Sequence, residues 1–146
     1  MFSENLWFVL RNTSQLLARN IRQDISGMAL TFLQIRVLIG ISYREGIRQV
    51  DLADGMDVQP ITLVHAIDQL AKIGLVERRK DPDDRRAYQL FLTPAASPYL
   101  SAIEEVVAAI QTDMLRGLSK EQVSLLSSAL QIMRDNLASR LLEQAK

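Results

Sequence analysis

The chain has 146 residues, of which 48% are hydrophobic and 23% are charged, so we expect one domain with its own core. It contains no cysteine, which excludes disulfide scaffolds, thiolate metal sites and cysteine-based redox sensing. The 17 basic residues balance 17 acidic ones, and a neutral total by itself argues weakly against a nucleic-acid partner.

Neither a membrane span nor a secretion signal is indicated at the start of the chain or elsewhere. The apolar stretches are far shorter than a bilayer requires, and Glu4 stands where a signal peptide would carry basic residues. We therefore expect a cytoplasmic protein that does not contact membranes.

The first third of the chain predicts two helices. Between Ser3 and Gln23, apolar residues recur at helical spacing, which indicates one buried stripe (Leu6, Leu10, Thr13, Leu17 and Ile21). From Leu30 to Tyr43 the chain is apolar on nearly every side, which is typical of a central, buried helix.

The middle third predicts a short helix, a second helix and a hairpin. The short helix runs from Arg48 to Gly55, and the second begins with Pro60, a residue enriched in the first turn of helices. It extends to Ile73, with Gly74 at the position of a C-terminal cap. Two extended stretches, 76–80 and 87–93, flank an Asp-Pro-Asp-Asp turn, so we predict a β-hairpin.

The last third predicts two further helices. One begins near Pro94 and is broken by Gly117, and the next opens with Ser119 at capping-box spacing. The last helix carries a seam similar to that of a short coiled coil, formed by Leu126, Leu130, Met133, Leu137 and Leu141. Packing of this helix on its own domain is an equally open interpretation.

The order of these elements is that of a winged helix-turn-helix. One side of the second helix of the pair is polar without an acidic residue, which suits the base edges of a DNA major groove (Thr62, His65, Gln69 and Lys72). A plain solvated helix face is the alternative.

Basic residues cluster around the hairpin. Within 78–86 there are five basic and three acidic residues, and an arginine on a projecting hairpin can enter a narrow minor groove. Asp84 and Arg86 would lie on the same side of an extended strand, so we predict that the Asp84 carboxylate holds the Arg86 guanidinium. The alternative is an Asp-Pro turn surrounded by screened surface charge.

The hairpin segment carries a family resemblance. DPDDRRAYQLFLTPAA, which follows IDQLAKIGLVERR, resembles the signature of the MarR family of bacterial transcriptional regulators. The upstream LADGMDVQPITLVHAIDQL resembles the helix-turn-helix of that family, and GLSKEQ resembles the start of its final helix. The resemblance extends from about Leu30 to Leu137. It is closest to SlyA-type members because of Asp68-Gln69-Leu70 and Ala96.

The resemblance implies a mainly α protein of one domain over 1–146. It implies a winged helix-turn-helix DNA-binding lobe over 30–93 and a helical dimerisation region over 1–23 and 94–146. It further implies a homodimer that regulates transcription, as a repressor or as an antagonist of another DNA-binding protein. This homodimer would bind double-stranded DNA at a pseudo-palindromic operator, with half-sites roughly 34–36 Å apart.

The site residues follow from this resemblance together with the polar face and the basic hairpin. We expect DNA contacts from Gln59, Pro60, Ile61, Thr62, His65, Gln69, Lys72, Arg78, Arg85 and Arg86, with Asp84 orienting Arg86. We expect the dimer interface to include Leu6, Leu10, Leu126, Leu130, Met133, Leu137 and Leu141.

Two departures from the family pattern bear on DNA recognition. SlyA-type relatives have arginine at the position of His65, and the shorter, mostly neutral histidine cannot make the bidentate guanine contact of arginine. Relatives usually have glycine where this chain has Asp57, and aspartate tolerates a left-handed backbone better than most residues.

Members of the family often respond to small aromatic or anionic effectors. Candidate lining residues for such a pocket are Trp7, Leu10, Arg11, Leu33, Arg36 and Tyr43. The alternative is that the apolar members of this set pack the core.

An enzyme is disfavoured by the residues available. His65 is the only histidine, so a histidine-rich zinc site cannot be built, and the Asp81-Pro82-Asp83 stretch favours a turn over a metal cluster. We expect no metal and no cofactor. A winged helix that contacts only protein, without DNA, is the alternative function.

Overall fold

A computed structural model describes residues 5–145 of the chain. This part consists of α-helices and a three-stranded antiparallel sheet, which confirms the predicted winged helix-turn-helix class. Its residues form two compact units, one ending at Ile110 and the other beginning at Gln111. Ser3, the predicted start of the first helix, lies outside the described residues.

The helices of the first unit match the predicted ones in type and order. They are α1 (Leu6–Asp24), α2 (Phe32–Tyr43), α3 (Gln49–Gly55), α4 (Pro60–Lys72) and most of α5 (Ser97–Met114), which follows a 3-10 turn at Pro94–Ala96. No residue of α1 is buried, and Leu6 and Leu10 of its predicted apolar stripe are exposed.

Helix α2 is the central helix of the first unit, as its apolar sequence predicts. It begins with a capping box in which the Thr31 hydroxyl accepts a hydrogen bond from the Gln34 backbone N–H, and the Gln34 side chain accepts one from the Thr31 backbone N–H. Four apolar side chains of this helix are buried: Ile35, Val37, Leu38 and Ile41. They pack in one core with Leu52 and Ala53 of α3, Leu63, Ala66, Ile67 and Leu70 of α4, and Leu90 and Ile103.

The ends of α4 are fixed by local backbone geometry. Pro60 occupies its first turn, and Asp57, in the turn before it, has a φ of 51°, the left-handed conformation expected for this position. At the other end Gly74 has a φ of 77°. The Gly74 N–H donates to the Ala71 carbonyl and the Leu75 N–H to the Leu70 carbonyl, which together form a Schellman motif.

The sheet contains the predicted hairpin and one strand that the sequence did not predict. Strands β2 (Val76–Lys80) and β3 (Tyr88–Leu92) pair antiparallel, with Arg78 opposite Leu90. Strand β1 (Ile47–Arg48) pairs with the other edge of β3, so the strand order is β1-β3-β2. The predicted short helix starts one residue later than expected because Arg48 belongs to this strand.

The second unit consists of the end of α5, a turn and α6 (Lys120–Gln144). Gly117 adopts a φ of 89° in the turn, and Ser119 and Gln122 form the predicted capping box. No residue of α6 is buried, and the predicted seam is exposed at Leu126, Leu130, Leu137 and Leu141. None of the helices within residues 5–145 is long and apolar enough to cross a membrane.

Candidate nucleic-acid interface

The start of α4 presents an exposed face opposite its buried side. Leu63, Ile67 and Leu70 are fully buried, so the rotation of the helix is fixed by the core. The predicted contact residues of the first turns all lie on the exposed side: Gln59, Pro60, Ile61, Thr62 and His65. Lys72 in the last turn is exposed as well. The exposed group combines an apolar side chain, a hydroxyl and an imidazole, which can contact a thymine methyl and base-edge polar atoms.

Gln69 is held by a contact that the sequence did not predict. The Gln34 amide nitrogen donates to the Gln69 side-chain oxygen at 2.8 Å, while the Gln34 oxygen accepts from the Thr31 backbone N–H at 2.8 Å. A backbone N–H only donates, so these bonds fix both amide orientations. One lone pair of the Gln69 oxygen is therefore engaged within the lobe, while both N–H donors of its amide remain for another partner.

Arg78, one of the predicted DNA contacts, is engaged by other side chains within the lobe. Its guanidinium forms an ion pair with Asp68 of α4 at 2.6 Å and donates to the Gln49 side chain of α3 at 3.0 Å. A third contact reaches the Val64 carbonyl at 3.5 Å. Because three elements meet at this side chain, Arg78 fixes the hairpin against α3 and α4.

The loop between β2 and β3, residues 81–87, forms the tip of the wing. Arg85 and Arg86 are exposed there, and within residues 5–145 neither guanidinium has a carboxylate partner. The Asp84 carboxylate accepts a hydrogen bond from the Arg86 backbone N–H at 2.9 Å, not from its guanidinium as the sequence predicted. The prediction assumed an extended strand, whereas Asp84 and Arg86 lie in a turn that ends before β3.

Asp81 carries the contact that was expected of Asp84, with a different arginine. Its buried carboxylate accepts from the Asp83 backbone N–H at 2.8 Å and from the Arg48 Nε at 2.6 Å. The Asp-Pro-Asp sequence is typical of an Asx turn, which accounts for the hydrogen bond from Asp83. Nothing local pointed to Arg48, which lies 33 residues earlier.

The basic cluster of the hairpin is thus divided between engaged and free side chains. Arg79 pairs with Glu77 at 3.2 Å, and its guanidinium lies 4.0 Å from the centre of the Phe91 ring. With Arg78 also engaged, Lys80, Arg85 and Arg86 are the basic side chains of 78–86 without a carboxylate partner in the described part of the chain.

The six candidate effector residues do not share one described cavity. A cavity between α2 and α5 contains Tyr43 as its only member of the set, together with Ile39, Ser42, Leu100, Ile103 and Glu104. Arg36 donates instead to the Met56 carbonyl at 3.1 Å. Trp7 and Arg11 contact each other on α1, with 5.9 Å between the guanidinium and the ring centre. Leu10 of the same helix is exposed, and Leu33 packs partly buried against the core.

Comparison with known proteins agrees with this geometry. The MarR family model matches residues 30–88. A solved structure described as MarR has a TM-score of 0.82 at 22% identity and covers 95% of both chains. The transcriptional regulator PA3341 has a TM-score of 0.80 at 27% identity, covering 92% of this chain and 99% of its own. The chain is therefore similar to the MarR family over residues 30–88 and shares the fold of these regulators.

A third structure of the MarR fold was solved with nucleic acid. The transcriptional repressor CouR, bound to a 23-mer DNA duplex, matches at 24% identity with a TM-score of 0.75, over 91% of this chain and 94% of CouR. In the present chain, the range 30–88 that matches the MarR family model includes α2, α3, α4, β2 and the wing loop. All ten candidate DNA-contact residues therefore lie inside the family match.

Proposed function

We propose that this chain is a member of the MarR family, a homodimeric transcriptional regulator that binds a pseudo-palindromic site in double-stranded DNA. The observation that carries the proposal is the exposed group formed by the first turns of α4 and by the wing arginines. Ile61 is 64% exposed although it is a large apolar residue, and Arg85 and Arg86 are exposed on the wing loop. This group offers a reading helix for a major groove and cations for a minor groove.

The position of Arg78 supports this proposal. By joining β2 to Asp68 of α4, it fixes the separation between the wing and the exposed helix face. A fixed separation favours simultaneous contact with two grooves of one duplex, because less conformational freedom is lost on binding. Gln69 would contribute its amide donors, which suit the acceptor atoms on base edges.

We propose that the apolar residues of α1 and α6 form the homodimer interface. Both helices lack buried residues while exposing leucines, Leu6 and Leu10 on α1 and Leu126, Leu130, Leu137 and Leu141 on α6, with Met133 on the same seam. A soluble chain seldom leaves such long apolar surfaces uncovered. A two-fold dimer presents two copies of α4, which matches a palindromic operator.

The finer assignments are a SlyA-like member of the family and a repressor released by a small aromatic or anionic effector. Asp68-Gln69-Leu70 and the fully buried Ala96 support the subgroup. For the effector, the cavity beside Tyr43 is the described candidate that includes a predicted lining residue. Selection of bound DNA from a random pool, with and without aromatic acids, tests the operator and the effector: a recovered palindrome identifies the operator, and loss of binding when an aromatic acid is added identifies the effector.

Replacement of Arg86 tests the proposed wing contact. Arg86→Ala should weaken binding to the selected operator by about 10- to 100-fold, because it removes a guanidinium from a minor groove, worth about 1–3 kcal/mol. Fluorescence anisotropy at constant salt measures the loss, and circular dichroism checks that the fold is retained.

Arg116→Ala is the matched control for charge removal. Arg116 is exposed and pairs with Asp113 in the turn before α6, outside the lobe over 30–93. We expect it to bind the operator as the unmodified protein does. Equal binding by Arg86→Ala and the control would refute the wing contact, and absence of any preferred DNA from the pool would refute the proposed function.

A further inference from the structure

The wing loop is fastened to the opposite edge of the sheet by a pair of side chains that makes none of the proposed DNA contacts. Arg48 ends β1, Asp81 follows β2, and β3 lies between these two strands. The Arg48 Nε donates to the Asp81 Oδ2 at 2.6 Å. One ion pair therefore links the first residue of the wing loop to the residue that directly precedes α3.

The Asp81 side chain organises the loop around itself. Its Oδ1 accepts from the Asp83 backbone N–H at 2.8 Å, and its own backbone N–H donates to the Ala87 carbonyl at 3.0 Å, which closes the loop. The Asp83 hydrogen bond and the Arg48 guanidinium hold the pKa of this carboxyl below its usual range near 4, so it is ionised at neutral pH.

The Arg48 and Asp81 side chains differ in their exposure to solvent. The Asp81 side chain is 1% exposed, so it is shielded from any DNA, whereas the Arg48 side chain is 40% exposed. Residues 82–86 are all exposed, so the loop that carries Arg85 and Arg86 has no apolar anchor of its own. A loop of this kind loses conformational freedom when it binds, unless another contact already holds its shape.

We propose that Arg48 and Asp81 are positioning residues for the wing: their ion pair holds the loop in the shape that presents Arg85 and Arg86 to a minor groove. This inference rests on the proposed DNA-binding function. The rival role for Arg48 is a direct contact with a backbone phosphate. The two roles predict opposite effects of neutralising Asp81, because removal of a negative charge near DNA strengthens a purely electrostatic contact.

The test compares Arg48→Ala, Asp81→Asn and the double variant on the selected operator. We expect each single variant to bind about 5- to 20-fold more weakly, within the range typical of positioning contacts. The double variant should be no weaker than the weaker single variant, because both changes break the same pair. It also removes the unpaired buried charge that Arg48→Ala leaves, so a loss of binding in the double variant cannot be attributed to that charge.

A second measurement places the effect in the wing. In a background that carries both Arg85→Ala and Arg86→Ala, Arg48→Ala should change operator binding less than about twofold, because the wing no longer contributes. A direct phosphate contact would instead give the same loss in both backgrounds. Binding is measured below the thermal midpoint of every variant, as followed by circular dichroism.

The outcomes distinguish this inference from the proposed function. Operator binding equal to or tighter than that of the unmodified protein in Asp81→Asn, while Arg86→Ala is weak, overturns the positioning role and leaves the DNA-binding function standing. Failure of the unmodified protein to prefer any DNA overturns both.

Discussion

His65 lies on the exposed side of α4 and is one of the proposed DNA contacts. It lies one turn after Ile61. Its imidazole is shorter than an arginine side chain and cannot form the two parallel hydrogen bonds of a guanidinium, so we expect it to contact one base pair. His65→Ala should cost about 1–3 kcal/mol on the selected operator and relax the preference at that pair, with unchanged affinity for unrelated DNA. Competition binding with operators altered at single positions measures this change. The same loss on every sequence would indicate a phosphate contact instead.

At the same scale, some site residues could be predicted from sequence and others could not. Helical period separates the buried Leu63 and Ile67 from the exposed Thr62 and His65, and that separation needs no tertiary information. Three other side chains have partners from different elements. Arg78 contacts Asp68 and Gln49, Gln69 contacts Gln34, and Asp81 contacts Arg48. No local pattern specifies such pairs, so the sequence could not tell which arginines were free.

At the scale of elements, the end of α4 determines where the wing begins, because β2 starts two residues after Gly74. Gly74 has a φ of 77°, and a Cβ added there meets nothing within 4 Å, so the cost of a side chain is conformational. Gly74→Ala should lower the free energy of unfolding by about 1–2 kcal/mol. The matched control is Gly55→Ala: Gly55 is equally open but ends α3 without a positive φ, so this change should raise the free energy of unfolding by about 0.5–1 kcal/mol. Urea titration measures both, and destabilisation of similar size by the two changes would contradict the conformational explanation.

The elements themselves could be predicted because their sequences carry hydrophobic periodicity or residues typical of helix ends and turns. Pro60, Gly74 and the Ser119 capping box identify helix ends, and the hairpin is recognised from its Asp-Pro turn. Strand β1 has only two residues, Ile47 and Arg48, and is too short to show the alternation of apolar and polar residues that is typical of a strand. Its pairing with β3 is a tertiary contact, and the Arg48–Asp81 ion pair depends on it.

At the scale of the whole molecule, the zero net charge constrains the proposed mode of DNA binding. Affinity for DNA without sequence preference grows with the number of phosphates that are neutralised. Of the five basic residues in 78–86, Arg78 and Arg79 are engaged within the lobe, which leaves few cations for that purpose. The proposed DNA binding would therefore depend on the placement of a few side chains and on their repetition in a dimer.

Dimerisation is thus a requirement of the proposed function, and α6 offers a direct test of it. Sedimentation at micromolar concentration should give about twice the chain mass of 16.5 kDa. Leu137, which is 59% exposed, lies on the α6 seam, so Leu137→Lys should shift the mass toward the monomer by placing a charge in an apolar interface. Ser139→Lys adds the same side chain on the opposite side of the helix and should leave the dimer intact. Operator binding should fall together with the dimer fraction, because two copies of α4 are needed for the two half-sites. A monomeric mass for the unmodified protein, or a stable dimer of the Leu137→Lys variant, would contradict this interface.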